Sequence, residues 1–509
     1  MGNTKKQIGI GAILSYLAII INIVAGLLYT PWMVDKIGKS EYGLYTLAHS
    51  LITLFLVDFG LSAAATRYIS KYLAEKNQEK VNNFMGLLYK LYLAIDLLVF
   101  VALFIIFLFI EKIYTGLTAN EMAQFKVVFI IIGVYSLINL PFISLNGVLT
   151  AYEKFIQLKI VDILHKLFTI IFIVIALLMG HGLYALVILT ALTGVLTIVA
   201  KLVIIRRKTP VRTNFAFYDK KLLKDVFSFS IWTMVALIGQ RLVFNITPSI
   251  LGIVLQPTVA TLAIAVFGVV TTIEGYAYTI TTAINGMFMP KISRIYTEEN
   301  AEDKLMPLMV KVGKFQFLLN GLVSVGFFLL GRQFILLWMG EAYIDAYLGI
   351  LLVIVPSIFY NCLQVANTAL IVNKRVKEQA IVTIAYGVIN LILSVFLSKQ
   401  FGVLGACFSI FIAYMIRAIV YHILHKKILK IKIWYFIKHC YLRLLPIIIL
   451  TLCFGFAINY FISDAGWLIF ALKVVLIVVF YGLCTILIGL NKQEIINIKN
   501  MIINKLRRK

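Results

Sequence analysis

The chain has 509 residues, of which 62% are hydrophobic and 14% charged, with a formal net charge of +25 and a mean hydropathy of +0.98. Those values exclude a soluble globular domain and leave a multi-pass membrane protein. In a soluble chain so basic a balance would suggest nucleic acid, but here Lys and Arg are dispersed between apolar runs as topology determinants, so no nucleic-acid partner is expected.

The first apolar run, 8–33, follows MGNTKK directly; it is too long for a signal peptide and no small-residue cleavage site follows it, so it reads as a retained span. Taking about 20 apolar residues as one spanning helix, the sequence predicts fourteen, at 10–33, 43–65, 85–110, 125–148, 159–179, 183–205, 227–252, 259–289, 308–331, 347–372, 379–398, 403–424, 441–463 and 467–489. The short gaps 180–182 and 399–402 read as tight turns between antiparallel helices. Of the 47 Lys and Arg, all but Lys36, Lys39, Lys112, Lys126, Arg332, Lys399, Lys473 and Arg241 fall on the amino-terminal side of this alternation, which places both termini in the cytoplasm.

Spans seven to twelve read as a second copy of spans one to six, in the same sense across the membrane. Thr30-Pro31 slides onto Thr247-Pro248, and ATRYISKY ending at Tyr72 is echoed by MPKISRIY ending at Tyr296. The expected organisation is an amino-terminal six-helix bundle (1–205), a basic cytoplasmic linker (206–226), a second six-helix bundle (227–424), and helices thirteen and fourteen with a basic tail (425–509). The linker is expected to lie at the anionic leaflet. The segment 428–440 and the tail face formed by Ile495, Ile498 and Ile502 read as interfacial helices. Pro31, Pro141, Pro248, Pro290, Pro356 and Pro446 lie in or beside spans, and Pro31 and Pro248 are candidate hinges or inherited kinks.

No phosphate-binding loop, no HExxH and no carboxylate–His cluster on one helical turn is present, so neither a nucleotide-driven pump nor an intramembrane enzyme is expected. The five cysteines, Cys362, Cys407, Cys440, Cys453 and Cys484, contain no close pair and read as small packed residues. His422 and His425 read as a surface pair at a membrane boundary, so no metal and no cofactor is expected.

Few ionisable residues lie deep within spans: His49 and Asp58 in span two, Asp96 in span three, Arg241 in span seven and Glu274 in span eight. Arg241 is the sharpest, at the midpoint of the apolar stretch 226–255, where burial in a bilayer costs about 2.5–3.5 kcal/mol on insertion scales. Such residues mark a wet pathway or knit helices as ion pairs, Arg241 with Glu274 or Asp58 being the pairs to weigh. His49 reads equally as an imidazole satisfied on a backbone carbonyl, and Asp58, before Phe59-Gly60-Leu61, as a helix-end residue.

With IGKSEYGLY (37–45) after span one and DFGLSAAATRY (58–68) closing span two, in a frame of six plus six plus two spans, the chain resembles the multidrug/oligosaccharidyl-lipid/polysaccharide exporter superfamily. Within it, the chain is similar to the Wzx-like polysaccharide transporter branch. The resemblance implies an all-α, MATE/MurJ-like polytopic fold in the bacterial cytoplasmic membrane. It further implies a flippase that moves an undecaprenyl-pyrophosphate-linked oligosaccharide, an O-antigen or capsule repeat unit, to the outer leaflet by alternating access. Its partners would be that lipid-linked substrate, membrane lipids, a coupling H+ or Na+, a polysaccharide polymerase and glycosyltransferases. In this frame Arg241 meets the pyrophosphate or an acidic sugar, while Arg67, Lys90, Lys291 and Arg417 gather the anionic head group from cytoplasmic helix ends. Asp58, Asp96, Glu274 and His49 are the ion-coupling candidates. Lipid II flippases rely on arginines in the first spans, which 8–33 lacks, and multidrug cation antiporters usually need a carboxylate in span one or seven, both of which lack one here. The antiporter is the alternative reading; a scaffold for glycosyltransferases is the third.

Overall fold

The computed structural model of the protein describes residues 2–55, 58–282, 289–296, 301–373, 375–464 and 466–489. The expected tail helix carrying Ile495, Ile498 and Ile502 lies outside them. Every regular element among the described residues is helical, as a bilayer requires of an open chain whose backbone groups have no water to bond.

The order is α1 (Gly2–Ile37), α2 (Lys39–Phe55), α3 (Leu61–Ala74), α4 (Gln78–Leu108), α5 (Ile110–Ile113), α6 (Ala119–Asn139), α7 (Leu145–Ala151), α8 (Phe155–Leu178), α9 (Leu183–Lys208) and α10 (Lys220–Phe244). It continues with α11 (Thr247–Val254), α12 (Ala260–Thr282), α13 (Met289–Ile295), α14 (Ala301–Trp338), α15 (Asp345–Asn361), α16 (Gln364–Val372), α17 (Val376–Leu429), α18 (Ile433–Phe436), α19 (Arg443–Phe461) and α20 (Gly466–Cys484).

Among the described residues eleven helices are long and apolar enough to cross a membrane, and twelve if the two pieces of α10, bent by 42° between Ser228 and Ser230, form one span. The structure does not confirm the expected fourteen as a count of such helices. First, the 54-residue stretch α17 is two helices that meet at Gly402, with φ 57° and ψ −135°, at the turn that the sequence predicts between two spans. Second, α2 and α3, expected as one span, have 17 and 14 residues and meet at a turn where Phe59 and Gly60 take φ of 51° and 70°. Positive φ is unusual for a bulky residue such as Phe59.

The chain divides into two compact units, one formed by Met1–Val269 with Val376–Ser409 and the other by Val270–Arg375 with Ile410–Lys509. In the first unit α8 packs along α9 and α1, α2 against α6, and α3 against α7. Helix α4 turns Tyr92 fully inward while Leu97 and Leu98 are 63% and 71% exposed, a greasy outward face suited to lipid. The segment following α9 is strapped onto α4: Arg212 N donates to Asn82 Oδ1 at 2.8 Å, Asn214 Nδ2 to Asn83 Oδ1 at 2.7 Å, and Asn214 N to Asn82 O at 3.1 Å.

In the second unit α14 packs against α15, α19 and α20, with Val325, Leu329, Leu330, Ile458 and Ile477 forming a core. Lys473, fully buried on α20, donates to Asp464 Oδ1 at 2.5 Å and Asn459 Oδ1 at 3.2 Å. Asn459 in turn donates to Leu329 O at 2.9 Å, so the α19–α20 hairpin is pinned to α14 by a polar clasp. The histidines expected as a surface pair are not one: His425 is fully buried and bonds Asn367 Oδ1 at 3.1 Å. His422 sits on the Ala418 carbonyl at 2.7 Å. The reason is that Asn367 of α16 meets the helix face on which His425 lies.

Candidate functional site

Helix α10 carries Arg241, and its sequence prevents it from running straight on. Pro248, in the first turn of α11, removes a donor from the helical ladder, and α10 ends at Phe244. The fully buried Asn390 of α17 reaches into this junction, its Nδ2 donating to the carbonyls of Leu242 at 3.1 Å and Val243 at 3.3 Å. Its Oδ1 accepts from Ser409 Oγ, also on α17, at 2.9 Å, which holds the amide toward the junction. A Cβ placed on Gly387 would lie 2.4 Å from the Gly239 carbonyl oxygen; only glycine lets α17 approach α10 closely enough for this bond to form.

Arg241 therefore occupies the last turn of a helix, where the sequence places it at the midpoint of an unbroken span. There the aligned carbonyl dipoles favour a cation by about 0.3–1 kcal/mol. Its Nη1 donates to Asn245 Oδ1 at 3.3 Å, and His49 of α2 lies within electrostatic reach. Among the described residues Arg241 forms no ion pair with a carboxylate. His49 is exposed, and its ring lies 5.9 Å from that of Tyr45. Its backbone carbonyl accepts from Thr53 Oγ1 at 2.6 Å.

Asp58 is held firmly in the same unit. Its carboxylate accepts from Tyr92 Oη at 2.6 Å and from the Ser62 backbone N–H at 3.2 Å, so it closes the exposed donors at the start of α3. Asp96, one turn beyond Tyr92 on α4, has Oδ1 buried with no hydrogen-bond partner among the described residues. Arg67 is exposed on α3. Lys90 donates to the Phe217 carbonyl at 3.2 Å and lies 5.9 Å from the centre of the Tyr218 ring, which fastens the strap after α9 to α4.

The second unit gathers a different cluster. The Arg417 guanidinium lies 3.3 Å from the centre of the Tyr360 ring, with Tyr414 at 5.3 Å and Tyr421 at 6.0 Å. Glu274 is its electrostatic neighbour. Such a cage of aromatic faces suits a planar, weakly hydrated cation. Near it, Asn361 Nδ2 donates to Asn320 Oδ1 at 2.9 Å and Thr281 Oγ1 at 3.3 Å, joining α15, α14 and α12. Lys291 is exposed on α13.

The structure thus groups Arg241 with His49, places Asp58 on Tyr92, and sets Glu274 beside Arg417. Arg67 and Lys90 belong to the first unit and Lys291 to the second. Sequence reasoning missed Asn390, Tyr92 and the tyrosine cage. Two of these were signalled: Asn390 is a lone amide in an apolar run, and Tyr414 and Tyr421 stand three residues before and four after Arg417, on its own helix face.

Residues 8–296 match the model of a family described as polysaccharide biosynthesis protein. Among solved structures, the lipid II flippase MurJ in an inward closed conformation matches with a TM-score of 0.71 at 14% identity, over 94% of this chain and 98% of that one. An inward-facing multidrug resistance MATE family transporter of the MOP superfamily matches with a TM-score of 0.67 at 14% identity, over 82% of this chain and 98% of that one. A MOP superfamily transporter from Pyrococcus furiosus gives 0.59 at 15% identity, over 82% and 95%. At these identities the likeness is one of fold. Among curated proteins none matches the sequence significantly.

Proposed function

The chain belongs to the polysaccharide biosynthesis protein family, and from that premise we propose that it is a flippase carrying an undecaprenyl-pyrophosphate-linked oligosaccharide across the bacterial cytoplasmic membrane by alternating access. The observation that carries this reading is Arg241, a guanidinium in an apolar span that forms no ion pair with a carboxylate among the described residues. A half-buried cation in an apolar span without an internal counter-ion is disfavoured unless an anion arrives to satisfy it. A pyrophosphate or an acidic sugar presents paired oxygens to the planar fork of donors, which Arg matches and Lys does not. The polyprenyl tail stays in lipid, so only the polar head needs this cation.

In the same reading both termini are cytoplasmic, the bundles 1–205 and 227–424 are the moving repeats, and a polymerase and glycosyltransferases supply and consume the substrate. Coupling to H+ or Na+ falls to Asp96, whose carboxylate oxygen is buried without a hydrogen bond and is chemically suited to carry a proton. A multidrug cation antiporter is the less favoured reading, because Asp58 is engaged by Tyr92 and Ser62 and Glu274 faces Arg417.

The test is surface polysaccharide in a flippase-null strain complemented with variants at matched expression. Loss of charge-assisted bonds worth about 1.5–3 kcal/mol predicts a fall of roughly 10- to 100-fold for Arg241→Ala, with Arg241→Lys retaining a measurable fraction. Normal polymer display by Arg241→Ala overturns the role of this residue. Toxin resistance on expression, without any effect on surface glycan, overturns the flippase reading itself.

A further inference from the structure

A second basic feature stands within the second unit, and nothing in the flippase reading uses it. A cavity of about 520 Å³ opens at the start of α14, lined by Lys311, Lys314, Lys430, Lys432 and Arg443 against one carboxylate, Asp303. Lys311 and Lys314 are three residues apart on α14 and share a helix face. Lys430 ends α17 in a left-handed conformation, φ 50°, and this sharp reversal brings 430–432 round to form the opposite wall. Among the described residues Lys311, Lys314 and Lys432 form no ion pair.

The surroundings fix the depth of this cavity. Next to it on α18, Trp434 is 70% exposed and Tyr435 47% exposed, the amphipathic aromatics that anchor at head-group level. Leu442 and Leu445 flank Arg443 and are themselves exposed, giving an apolar track that leads from the cavity along α19. Pro307 and Val310 complete an apolar part of the wall. A ligand matching all of this has a phosphate at the cations, a small polar head and acyl chains on the α19 face.

We propose that this cavity is a binding site for an anionic phospholipid, holding the phosphodiester of a phosphoglycerol head group between α14 and the turn that joins α17 to α18. Basic pockets between membrane helices at the cytoplasmic side take such head groups, and lysines serve them as point charges on flexible stems. A phosphoglycerol head is the smaller of the two phosphate sources at this depth. The pyrophosphate of a lipid-linked oligosaccharide carries several sugars that a cavity of this volume does not enclose. The site is independent of what Arg241 carries.

The experiment is native mass spectrometry of the purified full-length protein in detergent, titrated with phosphatidylglycerol and, separately, with phosphatidylcholine of the same acyl chains. The variant Lys311→Gln/Lys314→Gln/Lys432→Gln is expected to bind phosphatidylglycerol about a hundredfold more weakly, about 2.8 kcal/mol, the scale of a few basic residues at an anionic surface. The matching Lys→Arg triple and a distant control at the other end of α14, Arg332→Gln, are expected to bind as the unaltered protein does. If the glutamine triple fails to fold, the single Lys311→Gln, expected to weaken binding about fivefold, takes its place. Unchanged phosphatidylglycerol binding in the glutamine variants, equal loss in the distant control, or phosphatidylcholine bound as tightly as phosphatidylglycerol each overturns the proposal. Displacement of bound phosphatidylglycerol by undecaprenyl pyrophosphate at equal or lower concentration also overturns it, by assigning the cavity to the transported lipid.

Discussion

Arg241 shows how one side chain changes meaning when its helix is seen to end. At the middle of an unbroken span it faces the full desolvation cost; in the last turn of α10 it meets carbonyl dipoles and the Asn245 amide. Lys473 makes the complementary case, a cation whose counter-ion is internal. It is fully buried, but Asp464, its partner, is mostly exposed. Asp464→Ala therefore leaves a buried ammonium with only Asn459 to bond, and is expected to cost about 1.5–3 kcal/mol. Lys473→Met, which removes the buried charge along with its stem's polar end, is expected to cost less. Thermal unfolding midpoints of the two variants in one detergent check the order, and a larger loss for Lys473→Met refutes it. Outside the spans, the ammonium of Lys126 beside Glu111 holds that carboxyl below the usual carboxylate range. A folded-state value below the unfolded one gives stability present above the unfolded value and lost as pH falls through the folded value. Glu111→Gln is thus expected to lower stability slightly in the neutral region and to flatten the acid limb of the stability–pH curve, the two proteins converging at low pH.

At the scale of elements, the junction of α10 and α11 is the part whose physics reaches furthest. Pro248 ends the ladder, Asn390, held by Ser409, bonds the carbonyls of Leu242 and Val243, and Gly239 against Gly387 sets the distance at which it does so. Asn390→Leu keeps the volume and deletes the bonds to the Leu242 and Val243 carbonyls, at a cost of about 1–3 kcal/mol, while Ser409 keeps the Ala406 carbonyl and Val243 keeps Thr247 Oγ1. Because Arg241 stands one turn before the junction, the same variant is expected to lower surface polysaccharide while total protein stays in the membrane. Full polysaccharide display by a destabilised Asn390→Leu protein separates the junction from function. The repeat match of Pro31 with Pro248 looks different at this scale, since Pro31 lies inside continuous α1 whereas Pro248 opens α11 after a break. A proline's effect depends on whether neighbours re-satisfy the freed backbone; the carbonyl that loses its helical donor to Pro248 is that of Phe244, next to the Leu242 and Val243 carbonyls that Asn390 bonds.

For the whole molecule, the orientation drawn from the basic residues is open to direct measurement. With the five native cysteines replaced, His181→Cys is expected to react with a membrane-impermeant thiol reagent in intact cells, and Glu79→Cys only after lysis; the opposite pattern inverts the topology. Two of the eight cations that break the basic-side rule have acidic partners, Lys126 with Glu111 and Lys473 with Asp464, which weakens their vote on orientation. The sequence by itself determined the class: apolar runs of spanning length, dispersed cations and two short phrases led to a polytopic helical membrane protein of a polysaccharide exporter type, and the family match and the MurJ- and MATE-like fold agree. Local patterns suffice for that because a bilayer admits few structures and hydropathy reports on them directly. Only the tertiary structure decided that α10 ends at Phe244, and which buried charges have partners. Those outcomes rest on contacts between residues far apart in the chain, Asp58 with Tyr92, Asn390 with Leu242, Glu274 beside Arg417, and spacing along one helix carries no record of them. Arg241 was conspicuous from its neighbours in sequence; that it forms no ion pair with a carboxylate among the described residues is a property of the folded unit alone.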